Sequence, residues 1–140
     1  MDYWGVKSYE NDVAADALDA GFDRVHGELY EELMDDRHPL TFEQVQQRLA
    51  DLGTLNSAIE ALCDSLDPGS TPETWVDWAR LALVGIVVRH AELGVSIPEP
   101  WRQRAIDWLE HEEIEWDEAT ARRLRVAKEL ALLQRGGGSF

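Results

Sequence analysis

Between Trp75 and Val88 the chain is apolar nearly all round a helical axis: Trp75, Trp78, Ala79, Leu81, Ala82, Leu83, Val84, Ile86, Val87 and Val88 leave no continuous polar stripe. A helix of that kind cannot lie on a surface and must be covered on several sides. Its uncharged centre, residues 81–88, is bracketed by Arg80 and Arg89 and is too short to cross a bilayer. Other helices are therefore expected to wrap around it. Thr71-Pro72-Glu73 reads as its start, with a cap, a proline at the first position and an acid suited to the positive end of the dipole. Gly94 reads as its end, placing the central helix at residues 72–93.

The remaining apolar spacing is also helical. Ala14, Leu18, Phe22, Val25, Leu29 and Leu33 recur every three or four residues and predict a first helix over 12–34, weakened at Gly21 and Gly27. Asp35-Asp36-Arg37-His38-Pro39 ends it, because a residue before proline is pushed out of the α region. Thr41 and Gln44 form a capping box, with Leu40 stapled against Val45. Phe42, Val45, Leu49 and Leu52 then lead to Gly53, and Leu55, Ile59, Leu62 and Leu66 resume the stripe as one kinked helix or two. Asp67-Pro68-Gly69-Ser70 is a turn. Ile97-Pro98-Glu99-Pro100 opens a helix that carries Trp101, Ala105, Trp108 and Leu109 inward. Asp117 can cap a last helix with Leu124, Ala127, Leu130, Ala131 and Leu133 facing the core and Arg122, Arg123, Arg125, Lys128 and Arg135 as a basic surface. No segment alternates as a strand would. The expectation is an all-α, single-domain bundle of five or six helices over residues 1–135, while 136–140 resembles a flexible linker or a cloning scar.

At 140 residues such a domain can bury about 70% of the surface its unfolded chain exposes, so a core needs no staples. Cys63 is the single cysteine, which leaves no intramolecular disulfide, and its neighbours Ala61, Leu62 and Leu66 predict a buried, inert thiol. Met1-Asp2-Tyr3-Trp4 has neither the basic nor the apolar part of a signal peptide, so the expected location is cytoplasmic. Net charge is −15, and residues 1–67 hold 16 acids against 4 bases, leaving −3 on the remainder. A field so placed repels nucleic acid and anionic membranes and attracts cationic partners.

The amino terminus looks specified rather than merely patterned. Gly5 permits a fold-back that lets Trp4 and Tyr9 cover a helix end, and Asn11 can accept from an unpaired first-turn N–H. Trp4-Gly5, Tyr9, Asn11-Asp12 and Ala14-Ala15 resemble the start of DUF4259, a family of uncharacterised bacterial proteins. The likeness extends to the apolar stretch 81–88, Gly94, Ile97-Pro98-Glu99 and the Trp-containing helix after it. It covers about a third of the chain. Val6-Lys7 departs from the pattern, and residues 29–71 match nothing in it. Because the family has no established activity, the resemblance implies no catalytic residues.

Two polar constellations could carry function. Asp12, Asp16, Asp19, Asp23 and His26 are spaced four, three, four and three apart, which puts all five within about 80° of one another on a helix. Metal sites in bundles project inward, whereas this stripe lies opposite the apolar one. It is read as a solvated face and the candidate partner-binding surface. In 110–115 a Glu-His-Glu-Glu run is followed by Glu115 where a zinc helix would place its second His. Asp107, His111 and Glu115 share a helical face and are the candidate metal ligands, for a divalent-metal hydrolase, should the cluster be more than exposed acids near a helix end. His38 reads as a turn residue and His90 as a hydrogen bonder at the core edge. No nucleophile elbow or phosphate-binding glycine loop is present, and the six Trp read as core rather than as base-stacking platforms. The basic last helix reads as an internal docking face for the acidic first half. No cofactor is implied, and a non-enzymatic interaction module for a basic protein surface is the leading expectation.

Overall fold

The computed structural model describes Gly5, residues 7–35, Arg37, 40–112 and 118–136. Expectations placed on Trp4, on the stop at Asp36, His38 and Pro39, on Glu115 and on Asp117 fall outside those residues, as does the side chain of Phe42. Among the described residues the order is α1 (Asp12–His26), α2 (Glu28–Leu33), α3 (Phe42–Leu49), α4 (Leu52–Asp64), a 3-10 turn (Pro72–Thr74), α5 (Asp77–Glu92), α6 (Glu99–Glu110) and α7 (Ala119–Gly136). The all-α expectation holds, with seven helices where five or six were expected. The expected first helix is broken in two, and the stretch after Thr41 is two helices rather than one kinked helix.

The breaks have local causes. Gly27 takes φ 49°, ψ −118°, a conformation that disfavours other residues, and its N–H closes α1 on the Asp23 carbonyl at 2.7 Å. The chain then restarts as α2, so the stripe over 12–34 does not stay in register, and Val25 and Leu29 are exposed rather than inward. Between α3 and α4, Asp51 makes a reciprocal cap: its carboxylate accepts from the Thr54 N–H at 2.8 Å, and the Thr54 hydroxyl accepts from the Asp51 N–H at 2.9 Å. Gly53 is therefore inside α4, and Leu52 points outward. Upstream, Thr41 and Gln44 form the expected box, at 3.2 and 2.9 Å.

α5 is the centre. Ala79, residues 81–88 and His90 are all buried, and the helix touches α1, α4, α6 and α7. It starts later than expected. Thr71-Pro72 opens only the 3-10 turn, Trp75 and Val76 are extended, and Arg80 reaches back to the Trp75 and Glu73 carbonyls at 2.9 and 3.0 Å. Trp78 is exposed in consequence. Gly94 ends the helix at φ 85°, with its N–H on the Ala91 carbonyl and the Val95 N–H on the His90 carbonyl, the paired bonds of a left-handed helix stop.

Two glycines let backbones meet. A Cβ on Gly21 would stand 2.6 Å from the Ala58 backbone nitrogen, which is why α1 and α4 cross so closely. A Cβ on Gly85 would stand 2.5 Å from the Ser8 carbonyl oxygen and 2.8 Å from the Tyr9 Cα. The segment before α1 therefore lies directly on the central helix. Gly85→Ala is expected to cost about 1–3 kcal/mol through overpacking, after offsetting a helix-propensity gain of about 1 kcal/mol. A denaturant midpoint unchanged or raised, at constant m, would contradict this contact.

α7 is rotated from its expected register. Arg122, Val126, Glu129 and Leu133 face inward at spacings of four, three and four, whereas Leu124 is 65% exposed and Ala127 and Ala131 are exposed. Only Leu133 of the expected inward set is fully buried, with Leu130 half-buried. The helix also runs to Gly136, one residue into the expected tail. Among the described residues no helix is long and apolar enough to cross a membrane.

Candidate functional site

α1 is fixed at its start by Asn11. The side chain accepts from the Ala14 N–H at 2.9 Å and donates to the Ser8 carbonyl at 2.7 Å, so one buried amide caps the helix and holds the preceding turn. Ala14, Ala17, Leu18, Gly21 and Phe22 then face the core. Asp12, Asp16, Asp19 and Asp23 fall on the opposite side and are exposed, as the spacing predicts. His26 does not join them. It is half-buried, with Nε2 2.8 Å from the Leu49 carbonyl oxygen, and ties α1 to the end of α3. Asp19 is also engaged: the Tyr30 hydroxyl donates to it at 2.5 Å. Burial, together with this bond to a carboxylate, holds the Tyr30 phenol above its ordinary range.

Of the second constellation, Asp107 and His111 are described and Glu115 lies outside the described residues. Asp107 and His111 are exposed at the end of α6, and His111 Nδ1 lies 2.8 Å from the backbone carbonyl of Asp107 and 3.4 Å from its carboxylate. One ring nitrogen is thus turned to the helix itself. Among the described residues no three His, Cys, Asp or Glu side chains come together as a metal ion would need. Cys63 is exposed rather than buried. The inward face of α4 is Leu55, Ala58, Ile59 and Leu62, and residue 63 is turned about 100° from residue 62. Partial burial, with Asp64 and Glu60 nearby, raises the thiol pKa, so the neutral form is favoured.

The most specified polar site escaped the sequence reading. Arg122, expected on a basic surface, is buried, and so is Glu129. Glu129 accepts from the Ser8 N–H at 3.0 Å, from the Ser8 hydroxyl, and from Arg125 Nε at 2.9 Å. Arg122 lies 3.8 Å from Glu129, donates to the Ser8 hydroxyl at 3.0 Å and to Glu112 at 2.8 Å. Beside it, Tyr9 sits under the guanidinium groups of Arg89 and Arg125, at 5.5 and 5.9 Å, and under Lys7 at 5.7 Å. Burial, and after it a hydrogen bond to Glu92, keeps the Tyr9 phenol above its ordinary range. Gly5 belongs to the same turn, where a Cβ would stand 2.5 Å from the Glu10 carboxylate, the movable end of a flexible side chain.

Ser8, with a carboxylate and a guanidinium at its hydroxyl, has the neighbours of a nucleophile, but Ser8, Arg122 and Glu129 are shut off from solvent. Their arrangement fastens the amino-terminal turn to α7. The expected docking of the first half on α7 thus occurs through Ser8 and Tyr9, not through the acidic stripe. The signal was the 122/126/129/133 spacing, which hydrophobicity alone does not display. His90 is also internal: Nδ1 donates to the Ile86 carbonyl at 2.9 Å, which leaves Nε2 to accept from the Thr54 hydroxyl at 2.9 Å. Comparison with family models, with curated proteins and with solved structures returns no match.

Proposed function

We propose that the chain is a non-enzymatic, acidic helical interaction module whose first half engages a basic protein surface, as a regulator or an immunity-type neutraliser. The observation that carries this reading is the face of α1, where Asp12, Asp16, Asp19 and Asp23 stand in water above a helix packed into the core. They belong to a half of the chain with 16 acids against 4 bases. Carboxylates fixed on a rigid helix create a field that steers a cationic partner and repels phosphate backbones and anionic lipid. The buried cluster around Glu129 supports the reading indirectly, because its polar groups are spent on holding the amino-terminal turn. The DUF4259 resemblance stays part of the proposal, supported by the joint work of Gly5, Tyr9 and Asn11 in that turn.

Affinity capture from the native cell at low ionic strength tests the reading. The expected result is retention of a basic protein that elutes as salt rises. Recovery of no basic protein would remove the proposal's main support.

A further inference from the structure

We propose that the partner is seated on the corner formed by Val25, Leu29 and Leu52, and that it is a cationic amphipathic segment presenting apolar side chains between lysines or arginines. This rests on the interaction-module reading and gives that reading a place. The three aliphatic side chains are 42%, 48% and 48% exposed. Val25 Cγ1 lies 3.8 Å from where a Cβ on Gly53 would stand, so the end of α1 meets the start of α4 at a residue next in the chain to Leu52. Leu29 opens α2 just beyond the Gly27 break, while His26 anchors that break to Leu49. The same local features that overturned the expected core register thus leave three aliphatics exposed at the end of α1, the start of α2 and the start of α4.

Apolar side chains gathered on a surface and rimmed by polar residues mark interaction sites. Here the rim decides the occupant. Exposed Asp23, Glu28, Glu32 and Asp51 stand beside these residues in the chain, against Arg24 and Arg48. Arg24 is already paired with Asp64 at 3.1 Å. A neutral or anionic apolar partner would meet uncompensated carboxylates, whereas lysines or arginines flanking an apolar centre would pair with them.

The probe is a synthetic helical peptide of leucine and lysine, compared with an all-lysine peptide of equal charge. At about 150 mM salt exposed charges beyond about 8 Å are screened, which isolates the apolar contact. The triple variant Val25→Ser/Leu29→Ser/Leu52→Ser is expected to weaken leucine–lysine peptide binding about tenfold or more and to leave all-lysine binding within about twofold. Amide signals of residues 25, 29 and 52 in the unsubstituted chain are expected to move on addition of the leucine–lysine peptide. Equal binding by the variant, or shifts confined to residues 12–19, would overturn the proposed corner while leaving the interaction-module reading intact. If neither peptide binds the unsubstituted chain even at low salt, both fail. A concentration-dependent dimer that the triple variant abolishes would assign the corner to a second copy of the chain and overturn the cationic partner.

Discussion

Glu129→Ala is expected to destabilise the fold by about 3–5 kcal/mol, the range for removing one member of a buried ion pair. Glu129 is 1% exposed and answers three donors, the Ser8 N–H, the Ser8 hydroxyl and Arg125 Nε, with Arg122 3.8 Å away. Alanine leaves the Ser8 N–H without its acceptor and takes the carboxylate from two guanidinium groups. The amino-terminal turn should loosen first, since Ser8 is its link to α7. Joint replacement, Arg122→Met with Glu129→Leu, is expected to cost less than the sum of the single changes, because it removes both charges from the interior. Urea unfolding followed by circular dichroism reads both. A loss below about 1 kcal/mol for Glu129→Ala would place it among ordinary surface changes and contradict its role as a fastener.

The second large effect follows from His90. Burial is the main cause that lowers its pKa from 6.5 to about 4; the Ile86 carbonyl and Asp51 oppose the shift, and Arg89 adds to it. Between those values the unfolded chain holds a proton that the folded chain does not. Stability is therefore fully present above about pH 6.5, falls as pH drops through that window, and has lost this contribution by about pH 4. The whole contribution is on the order of 3 kcal/mol. Chemical denaturation at neutral pH and across the window, compared with His90→Gln, isolates it from the carboxylates. The expected result is a steeper loss in the unsubstituted chain than in the variant. Parallel curves would mean that His90 titrates as it does in the unfolded chain.

Much of the helical order is legible in the residues. Asn11 and Thr41 cap where their side chains and spacing say they should, and the all-round apolar α5 is central because nothing else could cover it. What escaped has physical reasons. Asp51 and Thr54 make the same reciprocal cap as a Ser/Thr-x-x-Glu box with the carboxylate and hydroxyl exchanged, so the pattern points to a break at Gly53, whereas the break falls at Ala50 and Asp51. Gly27 looks like a mild weakness in a stripe and acts as a full stop, because its left-handed φ cannot be continued. On α7 two charged residues occupy the inward face, and a hydrophobic count necessarily turns that helix toward Leu124. The acidic face of α1 was readable for the converse reason: its exposure follows from an apolar side that packs without interruption as far as Phe22.

The most direct test of the account is the association rate of the captured basic partner as ionic strength rises, with the unsubstituted chain and with Asp12→Asn/Asp16→Asn/Asp19→Asn/Asp23→Asn. All four positions are exposed, and asparagine at 19 keeps an amide oxygen to accept from the Tyr30 hydroxyl, so the substitutions should leave the fold intact. Steering by the α1 face predicts a rate that falls at least about tenfold between low and physiological salt, and a slower, flatter dependence in the variant. A rate indifferent to salt, or identical in the two proteins, would contradict it.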